Sequence, residues 1–106
     1  MSEQDNILLT KISEQLKKSD FDIVGIYLFG SRAKSTFNKD SDYDIAVILS
    51  EKIDWKVKDR IQSIIYDIML EYDIVIDSHI YTKSEIESAK TPFRESIIKE
   101  GIYYAC

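Results

Sequence analysis

Apolar and polar positions alternate along this chain in two distinct rhythms. In residues 2–18, Ile7/Leu8, Ile12 and Leu16 recur at the spacing of one helix face, and Ser2 stands where it can cap that helix. Asp20 and Phe21 then lead into a run, Ile23 to Phe29, that is apolar at nearly every position. Val24, Ile26 and Leu28 alternate there with Ile23, Tyr27 and Phe29, as in a strand buried on both faces. Gly30-Ser31 ends the run, and Arg32, Ala33 and Lys34 beyond it suit a short helix start. A second strand opens with Asp42 and Asp44 and continues as apolar Ile45 to Leu49. Asp54 can cap a helix reaching about Tyr72, with a stripe of Val57, Ile61, Ile64/Ile65 and Ile68 extended by Met69 and Tyr72. A third strand, Ile74 to Tyr81, puts Asp73, Val75, Asp77, His79 and Tyr81 on one face and Ile74, Ile76, Ser78 and Ile80 on the other.

The remaining residues carry helix punctuation. Thr82-Lys83-Ser84-Glu85 has the form of a capping box. Thr91-Pro92 starts another helix with proline at its first position, Phe93, Ile97 and Ile98 are expected to face inward, and Gly101 to end it as a left-handed cap. Ile102 to Ala105 either adds a short edge strand or docks. The elements predict an α/β (α+β) fold, a small mixed sheet flanked by helices, with residues 1–106 as one domain.

Composition narrows the function. Hydrophobic residues at 44% and charged ones at 31% indicate a folded globular chain, and a net charge of −5 argues against a template-using enzyme with a basic groove. No direct contact with nucleic acid is expected. No apolar run approaches a membrane span, so no membrane partner is expected either. Cys106 is the only cysteine, which excludes an internal disulfide framework and fits the reducing cytoplasm.

The chemistry concentrates between Tyr27 and Leu49. Residues two apart on a strand project the same way, so Asp42 and Asp44 stand side by side at a strand mouth. Adjacent carboxylates repel, and a hard divalent cation between them relieves the repulsion. Upstream, the Gly30-Ser31 turn before a helix start offers free backbone N–H groups and a hydroxyl suited to a phosphate oxygen. Arg32 adds a fork of donors for phosphate; for Lys34 an ordinary exposed position weighs as much as a phosphate contact. Ser31 has no base motif to make it a nucleophile. A phosphate cradle and metal-holding carboxylates in one short unit point to chemistry on a nucleoside triphosphate.

These residues resemble the minimal nucleotidyltransferases, small relatives of the DNA polymerase β palm domain. The family pattern of strand, Gly-Ser, short helix and Asp-x-Asp is matched by Gly30-Ser31-Arg32-Ala33 and by Ser41-Asp42-Tyr43-Asp44. The likeness extends along most of the chain, to Thr91-Pro92-Phe93 and Lys99-Glu100-Gly101, and departs at Ser35, where many relatives have glycine. The resemblance implies a third acidic residue on a neighbouring strand. Asp77 fits it better than Asp73, because a strand end and a helix follow Asp77 and because a carboxylate inside an apolar strand is costly without a partner. A structural hydrogen bond to a neighbouring helix or loop is the competing reading of Asp77.

The activity implied is Mg²⁺-dependent transfer of a nucleotide monophosphate. Asp42, Asp44 and Asp77 would hold one or two ions, with Gly30, Ser31 and Arg32 on the triphosphate and Asp77 orienting the acceptor hydroxyl. The chain has little material for an acceptor pocket, so the acceptor is expected on a separate partner. The resemblance implies a HEPN-type toxin, modified with AMP from ATP on a tyrosine, this chain being the antitoxin. Two alternatives stand beside it: transfer to a small hydroxylated molecule in a pocket completed by a second subunit, or a non-catalytic antitoxin that acts by contact. Homo- or hetero-oligomeric assembly is left open. His79 is expected to be a hydrogen-bonded core or rim residue, Trp55 and most tyrosines structural, and Tyr103-Tyr104 the aromatic pair best placed for an interface.

Overall fold

The computed structural model describes residues 3–19, 22–30, 42–50, 53–88 and 91–105. The expected Ser2 cap therefore lies outside the described residues. Helix α1 (Glu3–Lys17) turns Leu8, Ile12 and Leu16 inward, as the stripe in the sequence predicts, with Leu9 beside them in place of the exposed Ile7. Strands β1 (Ile23–Phe29) and β2 (Tyr43–Leu49) pair antiparallel, with a register shift between Ile23 and Gly25. Helix α2 (Trp55–Tyr72) starts at Asp54, whose Oδ1 accepts from the Val57 N–H at 2.9 Å. Strand β3 (Ile76–Thr82) lies parallel to β2. Short helix α3 (Lys83–Ser88), helix α4 (Pro92–Glu100) and strand β4 (Ile102–Ala105) follow, and β4 pairs antiparallel with β1. The sheet order is β3-β2-β1-β4, a mixed sheet as expected.

Period-two alternation sends the side chains of β2 to opposite layers. Tyr43, Ile45, Val47 and Leu49 meet α1 and α2 in the larger apolar cluster, which also takes in Ile26, Leu28, Ile61, Ile65, Ile68 and Ile76. Ala46 and Ile48 face the other way, where Phe29, Ile86 and Ile97 close a smaller cluster beneath α3 and α4. A sheet covered on both faces accounts for the nearly continuous apolar reading of its two central strands.

The capping box is reciprocal, with the Glu85 N–H donating to Thr82 Oγ1 at 3.1 Å and the Thr82 N–H donating to Glu85 Oε1 at 2.9 Å. Thr91 Oγ1 accepts from the Arg94 N–H at 3.2 Å, with Pro92 opening α4.

Other local expectations are corrected. Gly101 is extended, at φ −77° and ψ 155°, because the chain passes straight from α4 into β4 and cannot take a left-handed turn there. The left-handed cap is instead Asp73 at the end of α2, with φ 54° and its N–H donating to Met69 O. Phe93 and Ile98 are 45% and 39% exposed, so of the three residues expected to face inward on α4 only Ile97 is buried. Tyr103, which stays 46% exposed, and Tyr104 make contacts within the fold as well, which leaves their expected place at an interface standing. The Tyr103 ring lies over Gly25, where any Cβ would collide with it, and its hydroxyl donates to Val24 O at 3.2 Å. The Tyr104 hydroxyl meets Thr10 Oγ1 at 3.0 Å.

Candidate active site

Strand directions gather the site at one end of the sheet. Strand β1 runs into this end and finishes at Gly30, while β2 and β3 both start from it. Phe29 is therefore in register with Asp44, and Asp44 with Asp77 on the parallel neighbour. Backbones of adjacent strands are about 4.8 Å apart, so Asp44 and Asp77 leave the sheet side by side on the face covered by α3 and α4. Asp42 is exposed just before β2.

Gly30 completes the corner. Its φ of +73° is left-handed, and a Cβ there would run into Asp44 Oδ2. The turn that the sequence assigns to phosphate is therefore also the wall against which the Asp44 carboxylate rests. Ser31, Arg32, Lys34 and Ser35 lie outside the described residues.

Electrostatics mark Asp44 as the centre of this corner. Partial burial raises its pKa above the ordinary 3.8, the charges of Asp77 and Asp42 raise it further, and His79 acts in the opposite sense. The site thus holds more negative charge than it neutralises. The donor set is all carboxylate oxygen, which suits a hard divalent cation, and the mutual repulsion of these groups is what such a cation would relieve. Among the described residues, no three His, Cys, Asp or Glu side chains are gathered tightly enough to enclose a metal ion. Like charges repel, and the Asp77 carboxylate lies against His79, Oδ2 to Nε2 at 3.5 Å.

Asp77 has the expected place for a different reason from the one its sequence suggests. It is the second residue of β3 and its side chain is 62% exposed, so no burial penalty demands a partner. Asp73 closes α2 and does not figure among the charges acting on Asp44. Asp73→Gly should therefore relieve a left-handed strain and raise stability by about 1 kcal/mol while leaving transfer intact. Asp77→Asn should lose transfer by at least about a hundredfold with little change in melting temperature. A melting scan and a rate for each variant test the pair, and loss of transfer on changing Asp73 would reverse the assignment.

His79 is a half-buried rim residue, in keeping with its expected role, and it is not alone. Its ring lies 5.0 Å from that of Phe93 and 5.8 Å from that of Phe29, and the two phenylalanines meet edge to face at 5.6 Å. This aromatic group beside the carboxylates escapes a reading that turns Phe93 inward. The signal for it was His79, two residues beyond Asp77 on the same strand face. Trp55 is 74% exposed, contrary to a structural role, and borders a cavity of about 660 Å³ with Ser50, Lys58, Ile80, Thr82 and Glu85. That cavity sits at the far ends of β2 and β3, away from the carboxylates. No helix among the described residues is long and apolar enough to cross a membrane.

The chain and its fold have known relatives. A protein of Methanocaldococcus jannaschii, provisionally named a protein adenylyltransferase, is 32% identical over 77 residues, covering 73% of this chain and 74% of its own. Similar folds occur in a toxin–antitoxin crystal structure with AMP-PNP, at a TM-score of 0.67 and 23% identity over 92% of this chain and 73% of that one. They occur also in the complex of a tri-AMPylated Shewanella oneidensis HEPN toxin with its MNT antitoxin, at 0.63 and 20% over 95% and 72%. The sequence family described as polymerase beta, nucleotidyltransferase, matches residues 10–105. Sheet order, the Gly30 corner, the paired carboxylates and a family match over nearly the whole length lead to one statement: this chain is a nucleotidyltransferase of the polymerase β family.

Proposed function

We propose that this nucleotidyltransferase moves AMP from ATP to a tyrosine hydroxyl of a HEPN-type toxin and so acts as an antitoxin. The observation that carries the reading is the in-register pair Asp44 and Asp77, set against the glycine corner at Gly30. Support for a protein acceptor comes from the adenylyltransferase relative, and support for a toxin partner from the fold shared with MNT antitoxins. Asp42, Asp44 and Asp77 would hold Mg²⁺, which supplies charge neutralisation on the triphosphate.

The residues of the chain have separable duties. The corner at Gly30 keeps the backbone close to Asp44, and the Gly30-Ser31 turn would take a phosphate oxygen on its N–H groups. Asp77, exposed and beside His79, faces the acceptor and accepts its proton. The phenolic oxygen bonds to the α-phosphorus, the bond from that phosphorus to the bridging oxygen breaks, and pyrophosphate leaves with the electron pair. The test is incubation of α-labelled ATP and Mg²⁺ with the purified chain and the protein encoded beside it. Label on a tyrosine of that protein is expected. Label on a small molecule, or inhibition of the neighbour without label, would overturn the reading.

A further inference from the structure

We infer that Phe93 and His79 form the seat for the aromatic ring of the acceptor, and so select tyrosine over serine or threonine. The inference rests on the protein-adenylylation reading and adds the residues that choose the acceptor. Its basis is an aromatic path from solvent to the proton acceptor. Phe93 stands 45% exposed in the first turn of α4. It is fixed from below by Phe29, which is buried, and from the side by His79 at 5.0 Å. His79 in turn reaches Asp77 at 3.5 Å. Beneath them Ala46, in register with His79, is fully buried.

The platform is held in place before any ligand arrives. Thr91 caps α4, Pro92 sets its first turn, and Arg94 lies over the Tyr81 ring at 5.1 Å and within 3.8 Å of Glu85. A ring packed on Phe93 at ordinary aromatic spacing, with centroids about 4.5–7 Å apart, can turn a para-hydroxyl toward Asp77. Serine and threonine carry a hydroxyl but no ring and gain nothing from this surface. An adenine base also has a face to stack. The platform adjoins Asp77 through His79, and Phe29 ties it to β1 beside Gly30, so binding of a nucleotide by the Phe93 variants tells the two rings apart.

The full chain and its Phe93→Ala, Phe93→Leu and Phe93→Trp variants test this, with N-acetyl-tyrosinamide and N-acetyl-serinamide as acceptors of labelled AMP. Binding of a non-transferable ATP analogue is measured calorimetrically alongside. Phe93→Ala and Phe93→Leu should raise the KM for the tyrosine amide about tenfold with analogue affinity kept, and Phe93→Trp should restore it. Preference for the tyrosine amide over the serine amide should shrink by the same factor. Weaker analogue binding in Phe93→Ala would assign the ring to the base and overturn the inference. So would wild-type protein that binds the analogue yet labels both amides equally or neither. Wild-type protein that does not bind the analogue would overturn the nucleotidyl-transfer reading itself, a distinguishable failure.

Discussion

Asp44→Asn should abolish transfer, by about 10³-fold or more, and at the same time make the protein melt higher. The first effect follows from the place of Asp44 between Gly30 and Asp77, where one neutral amide removes the central charge of the site. The second follows from the direction of its pKa shift. Burial, then Asp77 and Asp42, hold the Asp44 carboxyl above its ordinary value, with His79 opposing. An acid whose folded pKa exceeds its unfolded value binds its proton more tightly in the native state. Its contribution to stability is therefore full below the unfolded value and is lost as the pH rises through the folded one. At neutral pH the ionised Asp44 costs the fold something, and asparagine removes that cost. Because the group is partly solvated the gain is small, about 0.5 kcal/mol or a few degrees in melting temperature. The gain should vanish in scans below about pH 3.8, where aspartate and asparagine are both neutral. Melting temperatures of the two proteins across pH 3–8, beside their transfer rates, test both halves. A variant that transfers normally would remove Asp44 from the chemistry. One that loses transfer by melting lower would make its loss a matter of folding.

Much of this site was legible because alternation on a strand is a strict rule. Once Ile45 to Leu49 is read as a strand, Asp42 and Asp44 must open it on one side, and the structure leaves them at its mouth. Asp77 was legible by the same rule, since the parity of β3 puts it with His79 and opposite Ile76. Parity says nothing of depth, however, so the argument that Asp77 is buried failed while its location held. Asp73 and Gly101 show a second limit. Both follow helices, and glycine is the usual left-handed cap. What decides the backbone angle is the direction of the next element. Gly101 is the single residue between α4 and β4 and already has the extended angles of the strand it enters, whereas the chain must reverse between α2 and β3, which lies parallel to β2. Phe93 shows a third. Helical spacing groups it with Ile97, but the face that meets the sheet depends on where α4 docks, and that is set by contacts distant in sequence.

Gly30→Ala should cost both stability and turnover, and the two losses can be separated. A side chain in the left-handed region is strained by about 1–2 kcal/mol, and φ at Gly30 is +73°. The added Cβ also occupies the position of Asp44 Oδ2, so the carboxylate must turn away from its place beside Asp77. A displacement near 1 Å at a reacting centre costs about a hundredfold in rate. Gly30→Asn distinguishes the two causes. Asparagine tolerates the left-handed backbone but carries the same Cβ, so it should recover part of the stability and none of the turnover. Asp44→Ala in the Gly30→Ala background removes the colliding carboxylate. Through the shared contact, the pair should be more stable than the sum of the single changes by about 0.5–1 kcal/mol, while transfer stays absent. Denaturant midpoints and transfer rates for the four proteins of this cycle give the answer. Additive stabilities, or a Gly30→Ala protein that transfers at the wild-type rate, would mean that the glycine serves only the turn and not the carboxylate it touches.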